Sequence, residues 1–394
     1  MPKTEEMSID ERRKYLKKMK PLYESAKRQE QSRLLNEMEH VTGLHRKSLI
    51  RLLGESSLER QRRTIPRSPH YDQETERVIV KVWESLDYVC AERLTPALLA
   101  TAQHLERFGV VELTPGIQEQ LTTISRATVE RILAQHRTRR FRLPQQGPEA
   151  ANRLRQDIPM QRLPWDLKEP GHFEVDLVHH CGTTTTGNYL HTLQMIDVAT
   201  GWSERVAVLG RSQKAMEEGF RLILKRLPFA VKHLHPDNGS EFFNHHLLRF
   251  WGEEITGLKL SRSRPYHKND NRFVEQKNDT LVRQYFGFLR LEQEQLVAMN
   301  ALYDQMWVYY NFFQPVMHLC EKSFEGGKLQ RQWDQAQTPY QRLQSTALLS
   351  SEQQEHLQQI YLHTNPYLLR KRIYQCISTF WEDVSTLAPV SSLA

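Results

Sequence analysis

Cysteine is scarce and scattered. The 394-residue chain has four, at Cys90, Cys181, Cys320 and Cys376, and no two form a CxxC pair. That excludes a zinc site built on paired cysteines and argues against a disulfide framework, so a reducing, intracellular setting is expected. Long apolar runs are also missing. No stretch is long enough to span a bilayer and no signal-peptide core is visible, so no membrane partner is expected. Acidic residues are outnumbered: 54 Lys and Arg stand against 47 Asp and Glu, a formal charge of +7. This balance favours a polyanionic partner. Apolar material is ample. Hydrophobic residues make up 39% of the chain, enough for real cores, and the length suits two to four domains.

The first third reads as helical and basic. Leu34, Leu35, Met38, Val41, Leu44, Leu49, Leu52 and Leu53 recur at helical spacing, and Thr42-Gly43 breaks the pattern. Over 1–58 this is the layout of a helix-turn-helix. Its second helix would expose His45, Arg46, Lys47 and Arg51 to phosphates and base edges. The plain alternative is a helical hairpin with a solvated basic face. A second such unit is expected over 73–136. One helix covers TERVIVKVWESLDY, and another is expected to start at Thr95-Pro96, with Pro as its first residue. LTTISRATVERILAQH repeats the grammar: Ile124 buried at the turn, Ser125 as N-cap, and Val129, Ile132 and Leu133 inward. Arg126, Thr128 and Arg131 point outward. Basic, proline-containing linkers over 59–72 and 137–168 hold Arg62, Arg63, Arg139 and Arg140. Such arms can track a DNA backbone or simply stay solvated.

From about 170 the periodicity shortens. HFEVDLVHHC, NYLHTLQMIDVA and WSERVAVLG read as three antiparallel strands. The order continues as helix, strand, helix, strand, helix to about 318: an α/β fold with helices on a mixed sheet. A helical C-terminal region is expected over 319–394. Three carboxylates stand out. Asp176 lies on the first strand, Asp237 ends the fourth, and Glu275 sits on the last of these helices. The first two can meet only if the fourth strand lies beside the first. Three such carboxylates can hold two Mg²⁺ ions, which prefer oxygen ligands and can clamp the oxygens of a phosphodiester. Lys268, Arg272 and Lys277 surround Glu275 and suit DNA backbone contacts. Asp197 is expected to serve the turn before Gly201, and Glu174 reads as a flanking polar residue. His235 and His267 are candidates for a phosphate contact. The run WVYYNFF (307–313) is expected to pack the last core helix on the sheet rather than to stack on bases.

The pieces VDLV, IDVATGW, PDNGSEF, RPYHKNDNRFVEQKN and WVYYNFFQP occur in that order between about 170 and 315. This region resembles the integrase catalytic core shared by retroviral integrases and insertion-sequence transposases. The tandem helix-turn-helix front end resembles that of a bacterial insertion-sequence transposase, whereas the His/Cys zinc spacing that opens retroviral integrases does not occur. TPYQRL (338–343) resembles a short motif found after the core in some transposases. The resemblance implies an RNase H-like fold (169–318) and a DDE triad of Asp176, Asp237 and Glu275 as catalytic metal ligands. It implies Mg²⁺, with Mn²⁺ as a substitute, and a bacterial, nucleoid-associated cytoplasmic enzyme. Such a transposase cleaves transposon-end DNA to free a 3′-OH and joins it to target DNA. A homo-oligomer on paired ends, a dimer or tetramer, is also implied. Two other readings stay open: a catalytically silent DNA-binding regulator, and a metal-dependent nuclease without strand transfer.

Overall fold

The computed structural model describes residues 7–55, 57–58, 71–136, 167–236, 242, 245–262, 272–325 and 328–387; at 272, 275, 276, 325, 328 and 383–387 it describes the backbone only. Chain contacts divide it into two units, Met1–His70 and Tyr71–Ala394. The described residues of the first unit form three helices, α1 (Ile9–Ser25), α2 (Arg28–Thr42) and α3 (Arg46–Gly54). Their apolar stripes meet in a core of Leu16, Leu35, Met38, Leu49 and Leu53, joined by Leu58 from beyond α3. The expected break is a capped turn. Gly43 ends α2 at φ 65°, a left-handed conformation that a Cβ would strain. His45 Nδ1 then accepts the Lys47 N–H at 3.2 Å and caps α3.

The second unit opens with α4 (Gln73–Ser85), α5 (Ala91–Glu106), α6 (Pro115–Thr123) and α7 (Arg126–His136). Ile124, Val129, Ile132 and Leu133 are buried, and the Ser125 hydroxyl accepts from the Thr128 N–H. The start of α5 differs from expectation. The helix begins at Ala91, where burial of Ala91 and Leu94 favours an added turn. Thr95 is therefore interior, its hydroxyl donating to the Ala91 carbonyl at 2.7 Å, and Pro96 lies inside the helix. The apolar core of these four helices is continuous with that of the sheet that follows. They belong to one unit with it rather than standing apart.

β1 (His172–His179), β2 (Leu190–Asp197) and β3 (Ser203–Leu209) form the antiparallel meander. After α8 (Gln213–Arg226) comes β4 (His233–Pro236), and after α9 (His245–Glu254) comes the two-residue β5 (Lys259–Leu260). The five strands form one mixed sheet in the order β3-β2-β1-β4-β5, with β4 parallel to β1. The fourth strand therefore lies beside the first. α8 covers one face. It approaches closely at Gly219, where a Cβ would sit 2.9 Å from Val208 Cγ1.

α10 (Arg272–Asn278) runs through a π-helical turn, Asp279–Arg283, into the short α11 (Gln284–Phe286), and α12 (Leu296–Phe312) follows. α12 closes the exposed edge of β3. Asn300 pairs with both backbone groups of Ala207, and Asn311 with both of Ser203, at 2.8–3.0 Å. Trp307 and Trp202 each donate to the buried Glu204, which Arg226 also grips at 2.7 Å. The aromatic run thus packs α12 on the sheet.

The C-terminal region departs from the all-helical expectation at its start. β6 (Leu319–Glu325) and β7 (Lys328–Trp333) form a separate hairpin before α13 (Pro339–Gln344), α14 (Ser351–His363) and α15 (Pro366–Leu387). The Gly326-Gly327 dipeptide is a hairpin signal. TPYQRL is a helix start: Thr338 and Gln341 form a capping box, with Pro339 at the first helical position. Among the described residues, no helix is long and apolar enough to cross a membrane.

Candidate active site

Strand alternation puts Glu174 and Asp176 on one face of β1. On that face Asp176 stands opposite Gln194 of β2, which stands opposite Arg205 of β3. Gln194 and Arg205 are both buried, an uncommon polar row inside a sheet layer. Pro236, the last residue of β4, pairs with Val175, so β4 delivers the chain beside Asp176 just before position 237. Asp237 itself lies outside the described residues.

α10 is tied to β1 at both ends. The buried Glu174 carboxylate accepts the backbone N–H groups of Phe273 at 2.7 Å and Val274 at 3.0 Å. These are orphan donors of the helix's first turn, where a negative charge also meets the favourable end of the helix dipole. At the other end the Asn278 amide donates to Asp176 Oδ2. Asp176 Oδ1 accepts the Leu177 N–H at 2.8 Å. The backbone of residue 275 therefore lies between two anchors on the strand that carries Asp176. Past Asn278, the π-helical turn brings Arg283 to the His179 carbonyl at 2.9 Å.

Burial, with Arg93 and Arg205 nearby, pulls the Lys277 ammonium down to about 7. Burial raises Asp197 to about 6, although Gly171, His172 and Thr200 all donate to it. Asp197 serves the turn before Gly201, as expected, and also fixes the entry to β1. His235 is corrected. It is buried and held by Ser261 Oγ at 2.6 Å, a hydroxyl it shares with His233 at 2.7 Å, so it faces no phosphate. His267 lies outside the described residues. Among the described residues no group of three or more His, Cys, Asp or Glu is placed to hold a metal ion. The one described carboxylate of the trio, Asp176, is half-buried and offers hard oxygen donors, which suits Mg²⁺.

The expected DNA contacts fare unevenly. Lys47, Arg51 and Arg131 are exposed on α3 and α7. Arg46 turns back to α2, bonding Ser32 Oγ at 2.8 Å and also Asn36. Arg126 pairs with Glu92 at 3.3 Å, and Thr128 lies 3.1 Å from the Ser125 hydroxyl. Arg62, Arg63, Arg139, Arg140 and Lys268 lie outside the described residues, as do the side chains of Arg272 and Glu275. Sequence reasoning passed over Glu174 as a flanking residue. Its signal was alternation: it shares a strand face with Asp176.

No protein-family model matches the chain. The uncharacterized protein y4rM of Sinorhizobium fredii (strain NBRC 101917 / NGR234) is 33% identical over 317 residues, covering 79% of this chain and 89% of that protein. The chain belongs to the y4rM family. The relative is named as uncharacterized, so membership of the y4rM family carries no activity with it. Among solved structures, the catalytic core domain of BIV integrase matches 44% of the chain and 95% of its own length, at 17% identity and a TM-score of 0.30. A likeness at that score carries no argument.

Proposed function

We propose that this chain is a DDE-type DNA transposase with an RNase H-like core, acting on transposon ends through Asp176, Asp237 and Glu275. The observation that carries the reading is the tie between β1 and α10. Glu174 and Asn278 hold the helix bearing Glu275 against the strand bearing Asp176, while β4 ends beside them one residue before Asp237. In this reading the three carboxylates meet at one place, for which a regulator would have no use. The trio would hold two Mg²⁺ ions, or Mn²⁺ in their place, which when bound supply activation of the attacking oxygen and charge relief at the leaving one. The chain's own part is positioning. Asp176 is oriented by Leu177 and Asn278, and α10 is fixed by Glu174. Cations on α3 and α7, with Lys47, Arg51 and Arg131 exposed, support end recognition by two helix-turn-helix units. In this reading, copies of the chain assemble on paired ends before joining them to target DNA.

The test uses purified protein, labelled transposon-end duplex, a target plasmid and Mg²⁺, with EDTA and Glu275→Gln as controls. Joined products that need metal and vanish in the variant are expected. Cleavage without joining would point to a nuclease, and binding without cleavage to a regulator.

A further inference from the structure

A cavity of about 710 Å³ opens among the α4–α5 turn, α10 and the β6–β7 hairpin. Phe273 and Lys277, one turn apart on α10, line it, whereas Asn278 turns to Asp176. Its charge is one-sided. Arg93, Lys277, Lys322 and Arg331 all line it, and the single carboxylate among its described lining residues, Asp87, is already held by Arg370 and Tyr374. Tyr88, whose ring has the Arg370 guanidinium 4.6 Å from its centroid, and the half-exposed Trp333 also line it. Gln314 also lines it. That residue is 8% exposed, and its amide nitrogen has no hydrogen-bond partner among the described residues. A buried donor left unmade in a protein is costly and calls for an acceptor. The wall is strained as well. Asp87 and Tyr88 sit at φ 54° and 60°, two consecutive non-glycine residues in the left-handed region. The grip of Arg370 and Tyr374 on Asp87 holds that turn and sets Tyr88 at the cavity.

Cations, aromatic faces and a buried amide donor together match a phosphate, a base and a base-edge acceptor. We propose that this cavity binds one unpaired nucleotide of a DNA strand, its phosphate against Arg93, Lys277 and Arg331, its base against Tyr88 and Trp333, and its acceptor on Gln314. The hairpin favours a strand over a free nucleotide. Lys322 pairs across it with Arg331, and the next pair on the same face, Phe324 with Leu329, is exposed. A basic and apolar track thus leads out of the cavity. The proposal rests on the DNA-processing reading for the source of the strand.

The test titrates the full chain in EDTA with a fluorescein-labelled single-stranded oligonucleotide carrying an internal 2-aminopurine, with unlabelled dTMP as competitor. Wild type binds the strand and changes the aminopurine emission. Trp333→Ala and Arg331→Glu, both on the exposed hairpin, weaken binding roughly ten- to a hundredfold with circular dichroism unchanged. Gln314→Leu weakens it and alters base preference. Equal affinity in Trp333→Ala and Arg331→Glu overturns the proposal, and so does dTMP competing as well as the oligonucleotide. Metal-dependent cleavage is read separately. Binding lost in the hairpin variants, with no cleavage by wild type, supports the pocket and sinks strand transfer. Cleavage by wild type with binding unchanged in both variants sinks the pocket alone.

Discussion

Glu174 offers no chemistry of its own to a phosphodiester, yet its carboxylate holds the first turn of α10 through the Phe273 and Val274 amides. Glu174→Ala leaves both donors buried or solvated by chance, at a cost of about 1–3 kcal/mol in unfolding free energy. It is expected to slow DNA cleavage at least tenfold while leaving end-DNA affinity unchanged, because it acts through the position of Glu275. Glu174→Gln keeps one acceptor oxygen and should fall between. Chemical denaturation and single-turnover cleavage check both points; an alanine variant that cleaves at the wild-type rate removes Glu174 from any positioning role. The proposed trio, Asp176, Asp237 and Glu275, was read from letters in ordered boxes. Glu174 was not, because its partners lie about a hundred residues away in the chain. Arg46, read as an outward cation, bonds Ser32 and Asn36, which are near in the chain and brought to it by the packing of α2 and α3.

Elements were easier to read wherever one face is buried. β1, β2 and β3 alternate or run apolar between clear turns, and α8 announces itself with Ser212, whose hydroxyl accepts from the Ala215 N–H. The hairpin β6–β7 was missed because its exposed, mixed faces lack a buried stripe. The α5 start was misplaced because Thr95-Pro96 imitates a cap, while buried Ala91 and Leu94 extend the helix upstream. The three-helix unit makes its own prediction. Leu49 is fully buried in its small core, so Leu49→Ala should cost about 2–5 kcal/mol. A core of that size has little to spare. The expected result is loss of the α1–α3 resonances in an NMR spectrum and loss of end-specific binding, with the second unit still folded. End-specific binding that survives the melting of α1–α3 would move recognition elsewhere.

At the scale of the whole molecule, buried titratable groups set the response to pH. Burial pulls His191 to about 3 and both His233 and His318 to about 4, against 6.5 when solvated. In that interval the unfolded chain binds more protons than the folded one. Their contribution is therefore complete above about 6.5 and is lost on acidification, by up to about 1.4 kcal/mol per pH unit for each group. Asp197 acts the other way. Raised from 3.8 to about 6, it favours the folded state below 3.8 and loses that contribution as pH rises through 6. Among the described residues six histidines (His104, His172, His180, His191, His233 and His318) are lowered and two carboxylates, Asp197 and Glu204, are raised, so the urea midpoint should fall between pH 7 and pH 5, and His191→Gln should flatten the slope. A midpoint that rises over that range contradicts the assignment.

The account as a whole rests on three carboxylates meeting at one place, and metal binding reads that meeting without any DNA. Mn²⁺ titration followed by electron paramagnetic resonance, on wild type and on Asp176→Asn, Asp237→Asn and Glu275→Gln, is the direct measurement. The account predicts Mn²⁺ bound by wild type and sharply weakened by each single substitution. Unchanged binding in any one of the three would remove that residue from the site, and unchanged binding in all three would contradict the active site proposed above.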